Sequence, residues 1–207
     1  MAYAGQTITN PVTSEQITFL ETTEDTQGDR LLFDCRVGPH GVPLPPHIHA
    51  TQEEHLDVLD GTLGVMLGGK IYTLQPGQNI VLPARIKHQW WNAGRDHLSL
   101  RVAAVPARQL EAVLEAVAGM AHEGKLGRNG MPRDPFNLAN LLRLSETFTP
   151  AMPIWVQRLA LTVAASGGRL LRYDATFIQY RTPAGEVREQ TETYEIMPAG
   201  TDRHDAA

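Results

Sequence analysis

Apolar and polar residues alternate with a period of two through roughly the first half of the chain. Leu31, Phe33, Cys35 and Val37 alternate with Leu32, Asp34 and Arg36, the pattern of a half-buried strand. Ile8, Ile17 and Phe19 lie in similar segments, and Leu63, Val65 and Leu67 repeat the alternation. Further short strands are predicted over Glu54 to Leu59, Lys70 to Leu74, Ile80 to Leu82, His88 to Trp91 and Leu98 to Val105. Turn residues separate them: Gly38-Pro39, Asp60-Gly61, Gly68-Gly69 as a two-residue hairpin, and Pro76-Gly77. Many short strands with Gly/Pro turns indicate a β-sandwich or barrel.

The period changes at Pro106. Leu110, Val113, Leu114, Val117 and Ala121 fall at helical spacing, with Pro106 as first helical residue and Gly124 as the stop. Asp134-Pro135 opens a second helix, and a third runs from about Pro153 to Ala165, ending at Gly167-Gly168. Leu170 to Tyr180 reads as a helix end or a strand. The expected organisation is therefore a β domain over 1–105, a helical extension over 106–181 and a polar tail over 182–207, mobile after Pro198.

Composition narrows the function classes. A formal net charge of -5 disfavours a nucleic-acid partner held by bulk electrostatics. Arg158, Arg169 and Arg172 read as a solvated face. The single Cys35 falls on the apolar set, reads as a small buried hydrophobe and suits a reducing cytoplasm. The start shows no signal-peptide pattern, and the weakly polar run near Ile154 to Ala165 is too short to span a bilayer.

The candidate chemistry lies between Gly41 and Gly61. Pro43, Pro45 and Pro46 stiffen an extended approach to His47 and His49, whose spacing puts both imidazoles on one face of a strand. Glu53 and Glu54 follow, and His88 lies in a second informative stretch, Gly77 to Asn92. Imidazoles and a carboxylate suit Zn, Fe, Mn, Ni or Cu. The first stretch reads Gly-x5-His-x-His-x4-Glu-x6-Gly, through Gly41, His47, His49, Glu54 and Gly61. The second reads Gly-x5-Pro-x-(Gly)-x2-His-x3-Asn, through Gly77, Pro83, His88 and Asn92, with Arg85 where the pattern has glycine.

These patterns resemble the two motifs of the cupin superfamily, over roughly residues 35 to 103. The resemblance implies a mainly β fold: a double-stranded β-helix, or jelly-roll barrel, here with a C-terminal α-helical extension. It implies a divalent transition metal held by His47, His49, Glu54 and His88, and a homodimer. The x4 spacing selects Glu54; Glu53 and His55 point the other way along the strand. His40, His97, His122 and His204 lack a partner pattern. An arginine at position 85 means that the turn either has no need of positive φ or tolerates strain; its side chain is expected to meet solvent.

Trp90 shares the face of His88 and is expected inside the barrel, with Trp91 outside. Trp90, Leu63, Val65, Leu67, Ile80 and Leu82 are the expected substrate-contacting walls, which suit a small apolar molecule. The leading functional expectation is a metal-dependent dioxygenase acting on a small enolisable molecule, since the ligand set resembles that of cupin dioxygenases acting on flavonols, diketones or acireductone. Glu54 is then the expected catalytic base. Alternatives are a non-redox isomerase, decarboxylase or lyase, for which Tyr72, His97 and Glu53 are the available acid–base groups, and a ligand-binding cupin without turnover.

Overall fold

The computed structural model describes residues 2–170 apart from His40. Ten strands precede the first helix: β1 (Thr7–Asn10), β2 (Glu15–Glu21), β3 (Leu31–Val37), β4 (Ile48–His49), β5 (Glu53–Asp60), β6 (Leu63–Leu67), β7 (Lys70–Leu74), β8 (Asn79–Leu82), β9 (His88–Asn92) and β10 (Leu98–Val105). They form a six-stranded sheet in the order β1-β2-β3-β10-β5-β8 and a three-stranded sheet in the order β7-β6-β9. This is the jelly-roll architecture expected, with sheets that do not close into one continuous ring.

Period-two alternation places the core. Leu31, Phe33, Cys35 and Val37 are buried on β3, and Leu98, Leu100, Val102 and Ala104 are buried on β10 beside it. They join Leu56, Val58, Leu63, Val65, Leu74 and Leu82 in one cluster between the sheets. Cys35 is a free thiol in that cluster, and burial pushes its pKa well up, so it behaves as a hydrophobe. The Gly68-Gly69 turn has φ of 58° and 87°, the left-handed pair a tight hairpin between β6 and β7 requires.

Among the described residues three helices follow: α1 (Leu110–His122), α2 (Pro135–Leu144) and α3 (Ile154–Leu170). Asp134 caps α2, accepting from the backbone N–H groups of Phe136 and Asn137 with Pro135 at the first turn. Two helix boundaries differ from expectation. Pro106 is not the first helical residue: Arg108 takes φ +52°, and the Gln52 side-chain amide donates to the carbonyls of Pro106 and Ala107, so α1 starts at Leu110. Gly167-Gly168 does not end α3, which continues over them; both lie against the Phe136 ring, where contact offsets their weak helix propensity.

A short strand, β11 (Thr147–Phe148), pairs antiparallel with β4. Strand pairing therefore crosses the boundary expected at 105–106. The expectations for 171–180, for the tail over 182–207, and for Arg172, His40 and His204 concern positions outside the described residues. Among the described residues no helix is long and apolar enough to cross a membrane.

Candidate metal centre

His47, His49 and His88 converge. One nitrogen from each lies within 4.8 Å of the others, and all three side chains are buried. The rings stand 4.9 Å (His47–His49), 4.5 Å (His47–His88) and 5.4 Å (His49–His88) apart between centroids. Backbone pairing creates this meeting. His47 N–H donates to His88 O at 3.0 Å, and His88 N–H donates to His47 O at 2.9 Å. The start of β9 is thus locked to the approach to β4.

Glu54 comes from β5, paired to Ala104 and Leu82 on its two neighbours. Its carboxylate stands 3.3 Å from His49 Nε2 and 3.9 Å from His88 Nε2 and is only 12% exposed. It touches two of the histidines but is not part of the mutual 4.8 Å set. The alternation along β5 sends Glu53 and His55 outward, where they pair with each other at 2.8 Å. His122 is bound to Thr9, and His97 is exposed, both away from the centre.

The tautomers follow from the acceptors. His47 Nδ1 meets Pro45 O at 2.8 Å, His88 Nδ1 meets Ile86 O at 2.9 Å, and His49 Nδ1 meets Ser145 O at 3.3 Å. A carbonyl only accepts, so each Nδ1 carries the hydrogen, and each neutral ring turns an Nε2 lone pair toward the others. Among the described residues His49 Nε2, His88 Nε2 and Glu54 Oε2 are buried without a hydrogen-bond partner. Buried polar atoms are rarely left so, because each costs on the order of 1–3 kcal/mol. Three aligned lone-pair donors beside a carboxylate fit a divalent ion, which would satisfy these atoms together.

Electrostatics agree. Burial and the neighbouring His49 hold His47 down at a pKa of about 4. Burial also lowers His88, against the pull of Glu54. Burial opposes the charge on His49, but the contact with Glu54 outweighs it and raises its pKa. Burial would raise Glu54, yet the contact and charge of His49, with His88 and His47 behind it, bring it down to about 2. At neutral pH the centre therefore holds an anionic carboxylate and at least two neutral imidazoles.

Among the expected walls, Leu63, Val65 and Leu82 are fully buried in the core, while Leu67 and Ile80 are half-buried against it. Trp90 lines a cavity of about 20 Å³ with His47, Gly41, Val42, Pro43 and Leu44. Trp91 lines it as well, and its ring also occupies the space beside Gly64, its cross-strand neighbour, where a Cβ would sit. Asn92 does not face the centre: its amide donates to Val37 O, Gly38 O and Asp96 O, tying the end of β9 to that of β3.

Arg85 resolves its own question. It keeps the left-handed turn at φ +65°. Its backbone N–H donates to His49 O at 2.8 Å and its Nε to Ala50 O at 3.3 Å. The arginine thus grips the strand that carries His49 while bordering an open groove with Trp155 and Arg158. Sequence reasoning missed Ser145 and Glu146, which reach the same strand from the extension. The one local signal was Thr147-Phe148, a β-favouring pair directly after a helix.

Residues 33–104 match the family model described as "Cupin domain". That stretch, and not the whole chain, is similar to a cupin domain. No curated protein matches it. Similar solved structures include the Cnp3 cupin domain of Schizosaccharomyces pombe, 13% identical, covering 45% of this chain and 65% of that one, with a TM-score of 0.40. This chain thus spans a little under two thirds of that relative. A predicted oxalate decarboxylase from Thermotoga maritima is 16% identical and covers 51% of this chain and 99% of its own (TM-score 0.44). The polyketide cyclase RemF from Streptomyces resistomycificus is 23% identical and covers 51% and 78% (TM-score 0.42). At these levels the likeness concerns the fold.

Proposed function

We propose that this protein is a cupin-type, metal-dependent oxidoreductase, dioxygenase-like, acting on a small apolar or enolisable molecule, with His47, His49, His88 and Glu54 as the ligands. One observation carries the reading: three buried ligand-type atoms that face one another around the Glu54 carboxylate, His49 Nε2, His88 Nε2 and Glu54 Oε2, have no hydrogen-bond partner among the described residues. A closed structural site would surround its ion with protein, whereas a cavity bordered by His47 and Trp90 supports access to this one. At about 20 Å³ that cavity has room for a water-sized molecule, and larger ligands require the Gly41–Leu44 wall to yield.

The bound ion, from Fe, Mn, Ni, Cu or Zn, supplies Lewis acidity toward an enolisable group and, if redox-active, electrons for oxygen chemistry. The chain's own groups do the rest. Pro45, Ile86 and Ser145 hold the three rings in the ligating tautomer. Glu54, held near 2, keeps its charge and is a weak base in the metal-free protein, which favours ligation as its first role. Trp90 gives the entrance an apolar wall. The non-redox alternative is less well supported: Tyr72 and His97 are exposed, and Glu53 is paired with His55 outside. The reading also takes a small-molecule partner, a homodimer and a cytoplasmic setting, the last supported by a free buried Cys35.

The test is oxygen consumption by protein loaded in turn with each ion, offered a panel of enolisable diketones. Uptake that follows the redox-active ions and disappears in His88→Ala is expected. Bound metal without uptake across the panel would move the protein to a lyase or ligand-binding role.

A further inference from the structure

Two of the three histidines are oriented locally, and the third is not. His47 and His88 each use the carbonyl two residues back, Pro45 O and Ile86 O. His49 has no such choice. The carbonyl two residues before it belongs to His47 and already accepts from His88 N–H at 2.9 Å. His49 Nδ1 turns instead to Ser145 O, 96 residues away in the helical extension.

That carbonyl is held in place from several sides. Ser145 closes α2, with its backbone N–H at 2.9 Å and its Oγ at 2.8 Å from Leu141 O. Glu146 then turns the chain through φ +49°, a conformation uncommon for a residue with a side chain. Its carbonyl accepts from Ala50 N–H at 3.3 Å. Its carboxylate accepts from Thr51 Oγ1 at 2.6 Å on the barrel side and from Arg158 Nη2 at 3.3 Å on α3. Thr147 and Phe148 continue as β11 against His49 and Ile48, and Phe148 is buried beneath the Arg158 guanidinium, 5.7 Å from its ring centroid. Arg85 grips His49 O and Ala50 O from the barrel. The strand bearing His49 is thus clamped between Arg85 and Glu146.

We infer that the helical extension is part of the metal centre, with Glu146 the positioning residue that braces Ser145 O against His49 Nδ1. This inference rests on the metal-centre reading for its consequence, while the brace itself is a property of the metal-free chain. A backbone acceptor on a ligating imidazole fixes the tautomer and ring direction, and loosening it lowers metal affinity. The extension thereby couples ion affinity to the packing of α2 and α3, which the barrel motifs alone do not.

The informative variant is Glu146→Gly, because glycine accepts positive φ and the change removes only the side-chain brace. Zn²⁺ affinity is measured by competition with a chromophoric chelator, Co²⁺ loading by its visible spectrum, and the His49 Nδ1–H by NMR of the metal-free protein. Glu146→Gly should weaken Zn²⁺ binding by about 10-fold or more. It should also shift the Co²⁺ bands and exchange-broaden the His49 Nδ1–H, while the metal-free melting curve stays close to wild type. Glu146→Gln, which keeps an acceptor oxygen for Thr51, should restore most of each. If Glu146→Gly does not fold, Thr51→Val removes the same bond from the barrel side and should act in the same direction. Wild-type Zn²⁺ affinity, Co²⁺ spectrum and Nδ1–H signal in both variants would overturn the inference. Failure of wild-type protein to bind Zn²⁺ would refute the metal-centre reading instead, and the NMR signal would still decide the brace.

Discussion

Loading the centre with Zn²⁺ at pH 5.5 should release nearly one proton fewer than three ordinary histidines would. Free imidazoles titrate near 6.5, so each is about nine-tenths protonated at pH 5.5, and three of them would surrender about 2.7 protons. Here burial and the neighbouring His49 hold His47 near 4, so it is only a few per cent protonated at that pH and contributes almost nothing. Glu54, near 2, is already ionised. His49, raised by Glu54 against its burial, gives up close to one proton. His88, lowered mainly by burial, gives up less than an ordinary histidine. The sum is below about 1.9. Titration calorimetry in two buffers of different ionisation enthalpy reads the proton count directly. A count of 2.5 or more at pH 5.5 would mean that His47 titrates like free imidazole, and the packing argument for its neutrality would be wrong. The same shift bears on stability. The unfolded chain takes up the His47 proton below 6.5 and the native chain only below about 4. As pH falls through that window the group destabilises the metal-free fold by up to about 3 kcal/mol. Glu54 acts in the same direction over a lower window: its contribution is complete above 4.5 and is lost as pH falls from 4.5 toward 2.

Two further changes test the frame around the site. Gly64→Ala would drive a methyl group into the Trp91 ring on β9. It should cost about 1–3 kcal/mol by calorimetric melting, and an unchanged melting temperature would show that Trp91 moves aside freely. Asp134→Ala removes the acceptor for the N–H groups of Phe136 and Asn137 and should lower stability by about 1 kcal/mol in urea titration, whereas Asp134→Ser should recover most of it.

Period and turn chemistry made most of the barrel legible. The alternation in β3 and β10, the glycine pair between β6 and β7, and Asp134-Pro135 at α2 are local signals read at short range. The histidines were legible for a different reason. Residues two apart on a strand share a face, and the family spacing brought in His88 and chose Glu54 over Glu53. What stayed hidden depends on partners distant in sequence. No spacing rule says that the amide of Gln52 will hold two carbonyls after β10 and delay α1, or that Phe136 will lie beside Gly167 and Gly168 and let α3 run on.

Arg85 and Glu146 show why a motif mismatch can carry information of its own. Both are non-glycine residues at positive φ, and each has a side chain bonded to one of the two residues that follow His49, Ala50 for Arg85 and Thr51 for Glu146. A glycine at either position would adopt the turn with less strain and keep the backbone bond to His49 or Ala50, but would lose the side-chain bond on that side. The conformational cost of a left-handed residue, of order 1–3 kcal/mol, is offset here by the hydrogen bonds its side chain makes. On that argument the departure from the family pattern at residue 85 and the long extension belong together: one clamps His49 from the barrel, the other from α2 and β11. Removing both side chains, as Arg85→Gly with Glu146→Gly, should then weaken metal binding by more than the product of the two single effects. Simple additivity would show that the two grips act independently.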